Sequence, residues 1–283
     1  MPIVVEKLNH VYMTGSALAF NAVEDVSLTV NEREFLCVIG HTGSGKSTLV
    51  QHFNGLMQPS SGRVVVDGAD MCDKKMRRLG RQLVGMVFQY PEYQLFEETV
   101  FKDIAFGPKN MGLSADEISL RVADAMRFVG LDFDKFAEKS PFDLSGGEKR
   151  RAALAGIIAM HPKYLVLDEP MAGLDPSGRR SVLDMLVRLQ KENGTGIVMV
   201  SHSMDDIARV ADRVAVMNKG RLVMCDTPEN IFNRSDELVK MGLDVPQAVK
   251  LTDALLKRGV DLGGGLCTED ELFTRIMEIT RHV

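Results

Sequence analysis

The chain has 283 residues, 45% of them hydrophobic and 26% charged, so it can build a core larger than that of one average domain. Its net charge of -5 at pH 7 argues against a nucleic-acid-binding surface, which normally needs a basic domain. Its uncharged runs fall short of the roughly 20 apolar residues that span a bilayer, and residues 1–10 lack the apolar segment of a signal peptide. We therefore expect a soluble, intracellular protein.

Strand patterns dominate the first ninety residues. Alternation at period two predicts strands at 3–12 and 23–30, and short apolar runs predict further strands at 35–39, 62–68 and 84–88. The run at 35–39 contains no charged residue, which indicates a strand buried on both faces of a parallel sheet.

A glycine-rich loop follows that buried strand and opens a helix. Gly40, Gly43 and Gly45 permit backbone angles that turn successive N–H groups toward one point, and the helix adds its positive dipole end. In such a loop Lys46 bridges the β- and γ-phosphates and Ser47 ligates Mg²⁺. The pattern predicts a nucleoside triphosphate site built from one continuous run of residues: Gly40, His41, Thr42, Gly43, Ser44, Gly45, Lys46, Ser47 and Thr48.

The pattern then changes twice. Only helical spacing occurs between residues 91 and 163, and strands alternate with helices from 164 to about 232. The predicted strands of that second part lie at 164–167, 197–200 and 214–217, with helices at 177–192 and 204–211. This order predicts a parallel, doubly wound α/β sheet. Together with the glycine-rich loop it resembles the P-loop NTPase (RecA-like) fold. We expect a parallel sheet core with an antiparallel β part near the N-terminus, a helical insertion and a small helical C-terminal extension.

Two carboxylates end the strand predicted at 164–167. Because side chains alternate along a strand, Asp168 and Glu169 point in different directions and can take different roles. We expect Asp168 to hold the hydration shell of Mg²⁺ and Glu169 to orient and polarise the attacking water. A solvated acidic strand end is the alternative, which the phosphate loop in the same chain disfavours.

Two more polar residues follow strands of the same predicted sheet. His202 comes directly after the strand at 197–200, at the carboxyl end where ligands bind in such sheets, and can reach the γ-phosphate. Gln89 follows the strand at 84–88, at the entry to the helical insertion, and can bond to Mg²⁺ or to the attacking water. A lone histidine is more often structural, so the prediction for His202 depends on its place among the other motifs.

A second predicted anion-binding helix start lies in the helical insertion. The Ser145 hydroxyl and the N–H groups that follow it, at Gly146 and Gly147, precede a predicted helix and can bind a phosphate. The glycine-rich loop and the Ser145 loop cannot easily bind the same triphosphate within one protomer, because the Ser145 loop belongs to the helical insertion. We therefore expect a head-to-tail dimer, in which this loop closes on the nucleotide of the other subunit. A simple helix N-cap is the alternative.

These motifs occur in the order found in the ATP-binding-cassette ATPases, which residues 3–232 resemble. The resemblance implies that the chain binds ATP and Mg²⁺, and it identifies residues 172–175 with the D-loop of that family. Tyr12 falls where the family has an aromatic residue that stacks on adenine, with Phe20 as a nearby competitor. The implied catalytic residues are Glu169, His202 and Gln89, and the implied metal ligands are Ser47, Gln89 and Asp168.

Four segments, 89–100, 140–147, 201–206 and 243–248, resemble more narrowly the second ATPase subunit of the energy-coupling-factor importers for vitamins, cobalt and nickel. That resemblance implies a peripheral protein at the cytoplasmic face of the cell membrane, paired with a second ATPase subunit that is a paralogue or a copy of itself. It also implies that a transmembrane coupling subunit contacts this chain at Pro91, Glu92 and Gln94. In that arrangement Glu92 pairs with an arginine of the coupling subunit, so Glu92→Arg is expected to fold and hydrolyse ATP but to lose assembly. A carboxylate that is simply solvated at a helix start is the alternative.

The sequence departs from the family pattern at Glu148, where glutamine is usual, and at Met171, where a small residue is common. The Glu148 carboxylate is expected to face the anionic rim of the nucleotide, with the basic residues 149–151 compensating. Neither change removes a phosphate or metal ligand, so we expect the composite site to be active.

Two alternatives to a transport motor are less favoured. A soluble cassette ATPase acting on DNA or ribosomes would carry a long coiled-coil insertion or a second cassette, and this chain has neither. A P-loop kinase leaves the Ser145 loop and His202 unexplained.

The predicted organisation is an ATPase domain followed by an extension. Residues 1–245 form the ATPase domain, with its core at 1–90 and 164–232 and a helical subdomain at 91–163, and residues 246–283 form the extension. Apolar residues of the extension recur at helical spacing and need a partner surface, which we expect to be a dimer contact, with packing on its own cassette as the alternative. They are Ala248, Leu251, Leu255 and Leu256.

Overall fold

Two sheets and the helices around them make up residues 1–280, the part of the chain that this computed structural model describes. Residues 281–283, the end of the predicted extension, lie outside the described residues. The strands are β1 (Ile3–Tyr12), β2 (Phe20–Val30), β3 (Phe35–Ile39), β4 (Ser61–Val66), β5 (Ala69–Asp70), β6 (Val84–Val87), β7 (Tyr164–Asp168), β8 (Gly196–Val200), β9 (Arg213–Asn218) and β10 (Arg221–Asp226).

The larger sheet has the order β10-β9-β3-β8-β7-β6, and its strands run parallel except for β10, which pairs antiparallel with β9. The smaller sheet, β2-β1-β4-β5, is antiparallel throughout. Every residue of β3, β7 and β8 is buried, as expected for strands that are covered on both faces. The predicted α/β class, with its antiparallel N-terminal part, is confirmed.

Helices cover the larger sheet and fill the segment between β6 and β7. Two 3-10 turns, Pro91–Gln94 and Pro141–Asp143, also lie in that segment. The helices are α1 (Lys46–Phe53), α2 (Lys74–Leu83), α3 (Val100–Asn110), α4 (Ala115–Phe128), α5 (Phe133–Phe136), α6 (Gly146–Ile158), α7 (Pro176–Asn193), α8 (Met204–Val210), α9 (Pro228–Phe232), α10 (Ser235–Lys240), α11 (Gln247–Leu256) and α12 (Glu269–Thr280). Within residues 1–280, no helix has both the length and the apolar character needed to cross a membrane.

Two apolar cores lie on opposite faces of the larger sheet. One packs β3, β7 and β8 against the helices of the insertion and α7, and the other fills the space between the two sheets around α1. Phe53, fully buried at the end of α1, anchors this helix between the sheets. The helix that follows the glycine-rich loop is therefore held by packing between the two sheets.

Of the four apolar residues predicted to form a stripe on the extension, two are packed and two are exposed. Ala248 is buried together with Leu262 and Leu272, and Leu255 packs against this cluster. Leu251 and Leu256 remain 46% and 54% exposed. Half of the stripe thus packs within the extension itself and half remains on the surface, so both the dimer contact and the packing on the cassette stay predictions.

Candidate active site

The glycine-rich loop between β3 and α1 leaves no room for a side chain at two of its glycines. A Cβ atom on Gly40 would lie 2.4 Å from both the Met217 carbonyl oxygen and the Ser44 hydroxyl. Gly45 has φ +98°, and a Cβ atom there would lie 2.3 Å from the Ala22 carbonyl oxygen. Because these positions carry no side chain, the loop backbone can lie this close to its neighbours and adopt a positive φ at Gly45.

Backbone acceptors hold Lys46 beneath the loop. Its Nζ donates to the Gly40 carbonyl at 2.7 Å and to the His41 carbonyl at 3.0 Å. Burial lowers the pKa of Lys46, while the nearby charges of Glu169 and Asp168 act in the opposite direction. The ammonium group therefore has two acceptors in place and two carboxylates close by.

One polar atom of the loop is buried without a partner. The Ser44 hydroxyl makes no hydrogen bond within residues 1–280, and a buried hydroxyl without a partner costs free energy. A phosphate oxygen in the loop would supply an acceptor, so this orphaned group fits an anion site. Of the other predicted loop residues, His41 contacts the Thr42 carbonyl through Nδ1 at 2.7 Å, Gly43 is exposed and Thr48 is buried.

Oxygen ligands suited to magnesium lie at the end of β7. Burial raises the pKa of Asp168, while the neighbouring Ser47 hydroxyl and the Lys46 ammonium act to lower it. A cation beside this carboxylate would favour its charged form, and Mg²⁺ binds through carboxylate and phosphate oxygens. The predicted ligands Asp168 and Ser47 thus fit the ion. Gln89, the third, instead turns its side-chain N–H toward Glu169.

The three residues predicted as catalytic form one hydrogen-bonded cluster. The Glu169 carboxylate accepts from Gln89 Nε2 at 3.3 Å and contacts His202 Nε2 at 2.9 Å. These residues follow β6, β7 and β8, which are neighbours in the sheet. Because parallel strands carry their carboxyl ends on one edge, the sheet order itself brings the three side chains together.

Glu169 has an unusual backbone conformation. Its φ of 51° lies in the left-handed region, which a residue with a side chain rarely adopts, and its N–H donates to the Val200 carbonyl at 3.1 Å. Such a conformation costs about 1–3 kcal/mol and persists only where the surroundings hold it. The chain therefore turns sharply after Asp168, which separates the two carboxylates predicted to have different roles.

Tyr12, predicted to stack on adenine, lies at the end of β1 beside the phosphate-loop helix. Its hydroxyl bonds to the Thr48 hydroxyl at 3.2 Å, and its ring packs edge-on against His10. Phe20, the competitor, is its cross-strand partner on β2 and is more exposed. Both rings border the same end of the smaller sheet, and the assignment of the adenine contact to Tyr12 remains a prediction.

In the Ser145 loop, the Glu148 side chain has a different orientation from the one expected from the sequence. Glu148 Oε2 accepts from the Ser145 N–H at 2.8 Å and from the Ser145 hydroxyl at 2.6 Å, which forms a capping box at the start of α6. The hydroxyl contact is the main reason that the pKa of Glu148 is lowered. The carboxylate therefore turns back onto Ser145 instead of facing outward. The loop glycines Gly146 and Gly147 stay open, but a phosphate reaching Ser145 must displace Glu148.

The contacts of Glu92 also differ from those expected from the sequence. Its carboxylate accepts from Arg150 Nε at 3.0 Å and from Arg150 Nη2 at 2.9 Å, with the two side chains 18% and 5% exposed respectively. It is neither free for an arginine of another subunit nor simply solvated. Glu92→Arg would place two guanidinium groups together in a largely buried site, so we expect this variant to fold less stably than the wild type.

Arg150 is the residue whose importance the sequence did not reveal. It was grouped with a basic run, 149–151, although one member of that run is buried. Besides Glu92, it contacts the carbonyl oxygen of Ala172, at 3.1 Å from both Nη1 and Nη2. The available signal was its place on a helix whose other residues at this spacing are apolar.

Comparison with known proteins identifies the family. Residues 23–172, more than half of the chain, match the family of ABC transporter ATP-binding domains. The chain belongs to the ABC transporter family. The matched range runs from β2 through the phosphate loop, the Ser145 loop and Glu169, so it includes most of the geometry described above.

Full-length relatives narrow this ABC ATPase further. It is 49% identical over 283 residues to the energy-coupling factor transporter ATP-binding protein EcfA2 of Clostridium perfringens, covering 100% of this chain and 99% of the relative. It is 53% identical over 278 residues to EcfA2 of Symbiobacterium thermophilum, covering 98% and 96% of the two chains. The predicted resemblance to the energy-coupling-factor ATPases is confirmed.

Solved structures agree with this classification. CbiO1 from Clostridium perfringens, part of the ABC transporter complex CbiONQ, superposes with a TM-score of 0.75 at 37% identity, covering 89% of this ABC ATPase and 98% of that chain. The dimeric ATP-binding cassette MJ0796, bound to ADP and phosphate after hydrolysis, gives a TM-score of 0.70 at 26% identity, covering 80% and 98%.

A cavity of about 310 Å³ adjoins the cluster of Gln89, Glu169 and His202 in this ABC ATPase. Glu169 and His202 line one side, and Asp244, Val245 and Gln247 line the other. The Gln247 N–H, at the start of α11, donates to Asp205 at 2.7 Å. The segment leading into the C-terminal extension therefore borders the site, which the sequence did not predict.

Proposed function

We propose that this ABC ATPase is the motor subunit of an energy-coupling-factor importer, which powers uptake of a vitamin or transition metal through a transmembrane coupling subunit and a substrate-binding membrane subunit. Relatives that carry this name align over their whole length, at 49–53% identity. The observation that carries the proposal is the Gln89–Glu169–His202 cluster beside the phosphate loop, because it supplies hydrolysis as well as binding.

The loop residues bind the triphosphate. The backbone N–H groups of residues 40–48, the Ser44 hydroxyl and the Lys46 ammonium surround the β- and γ-phosphates, and Tyr12 stacks on the adenine. Ser47 and Asp168 hold Mg²⁺, which supplies positive charge to the phosphate oxygens when it is bound. Lys46 already contacts two backbone acceptors, so little reorganisation accompanies binding.

Glu169 acts on the attacking water. Its carboxylate accepts a hydrogen bond from the water, whose oxygen bonds to the γ-phosphorus as the bond to the β–γ bridging oxygen breaks. His202 and Gln89 hold this carboxylate in place from two sides. The helical insertion begins just after Gln89, so a movement of Gln89 that follows the γ-phosphate is passed directly to the insertion.

Two such subunits form a head-to-tail dimer, and the solved cassette that this chain resembles is itself dimeric. The partner is a paralogue or a second copy. In this dimer Ser145, Gly146 and Gly147 of one subunit close on the nucleotide of the other, and Glu148 leaves Ser145 as the phosphate arrives.

The membrane contact lies at the start of the helical insertion, on the cytoplasmic face of the cell membrane. Gln94 is exposed there, and the aromatic residues around it form a patch: Tyr93 is 83% exposed, and the Phe96 and Phe106 rings pack edge to face with centroids 4.9 Å apart. A groove of about 450 Å³ continues from Phe106 between α3 and α4. An apolar helix of the coupling subunit fits this surface. Pro91 and Glu92 stabilise this surface from within the chain, because Pro91 is buried and Glu92 binds Arg150.

The test is co-assembly with the membrane subunits followed by uptake into vesicles. Tyr93→Asp and Phe96→Asp are expected to keep the ATPase activity of the soluble subunit and to lose assembly and uptake. Leu120→Asp is the matched control, because Leu120 is an apolar residue on α4 about as exposed as Phe96, and it should assemble normally. Normal uptake with both aromatic variants would contradict the membrane contact, and wild-type complexes that show no ATP-dependent uptake would contradict the transport function.

A further inference from the structure

Arg150 is a buried cation placed at the junction of three functional segments. It lies on α6, whose first turn carries the Ser145 loop. Its guanidinium binds Glu92, in the segment that begins at Gln89, and Ala172, at the start of the D-loop that follows Glu169. The buried position is costly for a charge unless it is paired and fully hydrogen-bonded, and here Nε, Nη1 and Nη2 all have acceptors.

The same two segments are already joined once at the catalytic cluster. Gln89 Nε2 reaches Glu169 at 3.3 Å, and three residues further along each segment Arg150 joins Glu92 to Ala172. Two cross-links with this spacing hold one segment against the other. The first link alone is a single long hydrogen bond between two side chains, whereas the second uses four contacts to a planar group.

The backbone near both cross-links is in unfavourable conformations. Tyr90, next to Gln89, has φ 56°, and Glu169 has φ 51°. Residues with side chains keep such angles only where surrounding contacts enforce them. The Arg150 contacts lie within three residues of both positions, so they are in place to enforce these angles.

We propose that Arg150 is a positioning residue for hydrolysis: by binding Glu92 and the Ala172 carbonyl, it fixes the segments that carry Gln89 and Glu169 and ties both to the helix that begins at Ser145. The inference rests on the proposed ATPase function. A planar guanidinium is required, because a lysine ammonium cannot make two parallel bonds to Glu92 and still reach Ala172. Within residues 1–280, the Arg150 guanidinium hydrogen-bonds to Glu92 and Ala172 and not to the phosphate loop.

The first measurement needs no turnover. Hydrogen exchange of the full-length Arg150→Lys protein without nucleotide should rise in the segments 89–94 and 169–175 and stay unchanged in the phosphate loop. Arg188→Lys is the matched control, because Arg188 pairs with Glu192 on the exposed face of α7, and its exchange should equal that of the wild type. Unchanged exchange in both segments of Arg150→Lys would overturn the proposal.

The second measurement separates positioning from a merely structural role. In the assembled complex, Arg150→Lys and Glu92→Gln should each lower kcat about 10- to 100-fold, the range expected for displaced catalytic groups, with the ATP Kd within twofold. The double variant should be no slower than the slower single variant, because both break one link. A lower Tm with wild-type kcat, or a loss confined to the ATP Kd, would refute the positioning role. A wild-type complex that hydrolyses no ATP would contradict the proposed function instead, and the exchange result would still decide the role of Arg150.

Discussion

Replacing Lys46 by methionine tests the phosphate loop most sharply, because it removes the charge and keeps most of the apolar stem. The lost contact is charge-assisted and worth about 1.5–3 kcal/mol, so the ATP Kd should rise about 10- to 150-fold. The loop itself should persist, since Gly40 and Gly45 are fixed by packing against Met217 and Ala22.

Thermal shift measures the same quantity independently. Ligand at 100 times its Kd stabilises the wild type by about 2.7 kcal/mol, and the same ATP concentration stabilises Lys46→Met by only about 0.3–1.4 kcal/mol. The ATP-induced rise in Tm, measured for each protein from its own Tm without nucleotide, should therefore fall by about half or more.

Titration with a fluorescent ATP analogue gives the Kd directly. Lys102→Met is the control, because Lys102 pairs with Glu98 on the exposed face of α3, and its Kd should match that of the wild type. A Kd for Lys46→Met within twofold of the wild type would refute the assignment of this loop as the triphosphate site.

The remaining predictions concern the metal, the Ser145 loop and the extension. Because burial raises the pKa of Asp168, its carboxylate is lost on acidification at a higher pH than for an ordinary aspartate. The gain in ATP affinity that Mg²⁺ gives should therefore decrease as the pH is lowered and Asp168 becomes protonated. Asp168→Asn should show little gain at any pH. A gain that does not change with pH in the wild type would contradict the metal role of Asp168. Glu148→Gln should tighten the ATP-dependent dimer in analytical ultracentrifugation, since a neutral amide competes less with phosphate for the Ser145 loop, and a weaker dimer would contradict this. Leu251→Glu combined with Leu256→Glu should weaken dimerisation without nucleotide, whereas Val239→Glu on α10 should not, and an unchanged dimer would exclude the extension as a contact.

The meeting of Gln89, Glu169 and His202 could be predicted because it depends on local sequence. Glu169 directly follows an apolar strand, and Gln89 and His202 each come two positions after one. A parallel sheet collects such residues at one edge. The phosphate loop is similarly local, because glycine spacing and the flanking strand and helix determine its shape. These features depend on neighbours in sequence and on one general rule of sheet topology.

Other contacts were missed because they join residues far apart in sequence. Arg150 and Glu92 are separated by 58 residues, and nothing near either one indicates the pairing. β10 was not predicted because it is an edge strand with exposed residues along its length. The inward turn of Glu148 is local, and the Ser-x-x-Glu spacing of a capping box predicts it, but the family pattern had suggested an outward side chain.

The account depends most on Glu169 as the residue that acts on water. In Glu169→Gln the side chain keeps its size and loses the charge, and the contacts of Lys46 with the loop are unaffected. The decisive measurement is ATP turnover of this variant beside its MgATP Kd. We expect a Kd within twofold of the wild type, turnover reduced at least about 100-fold and a trapped ATP-bound dimer, whereas near-normal turnover would contradict the account.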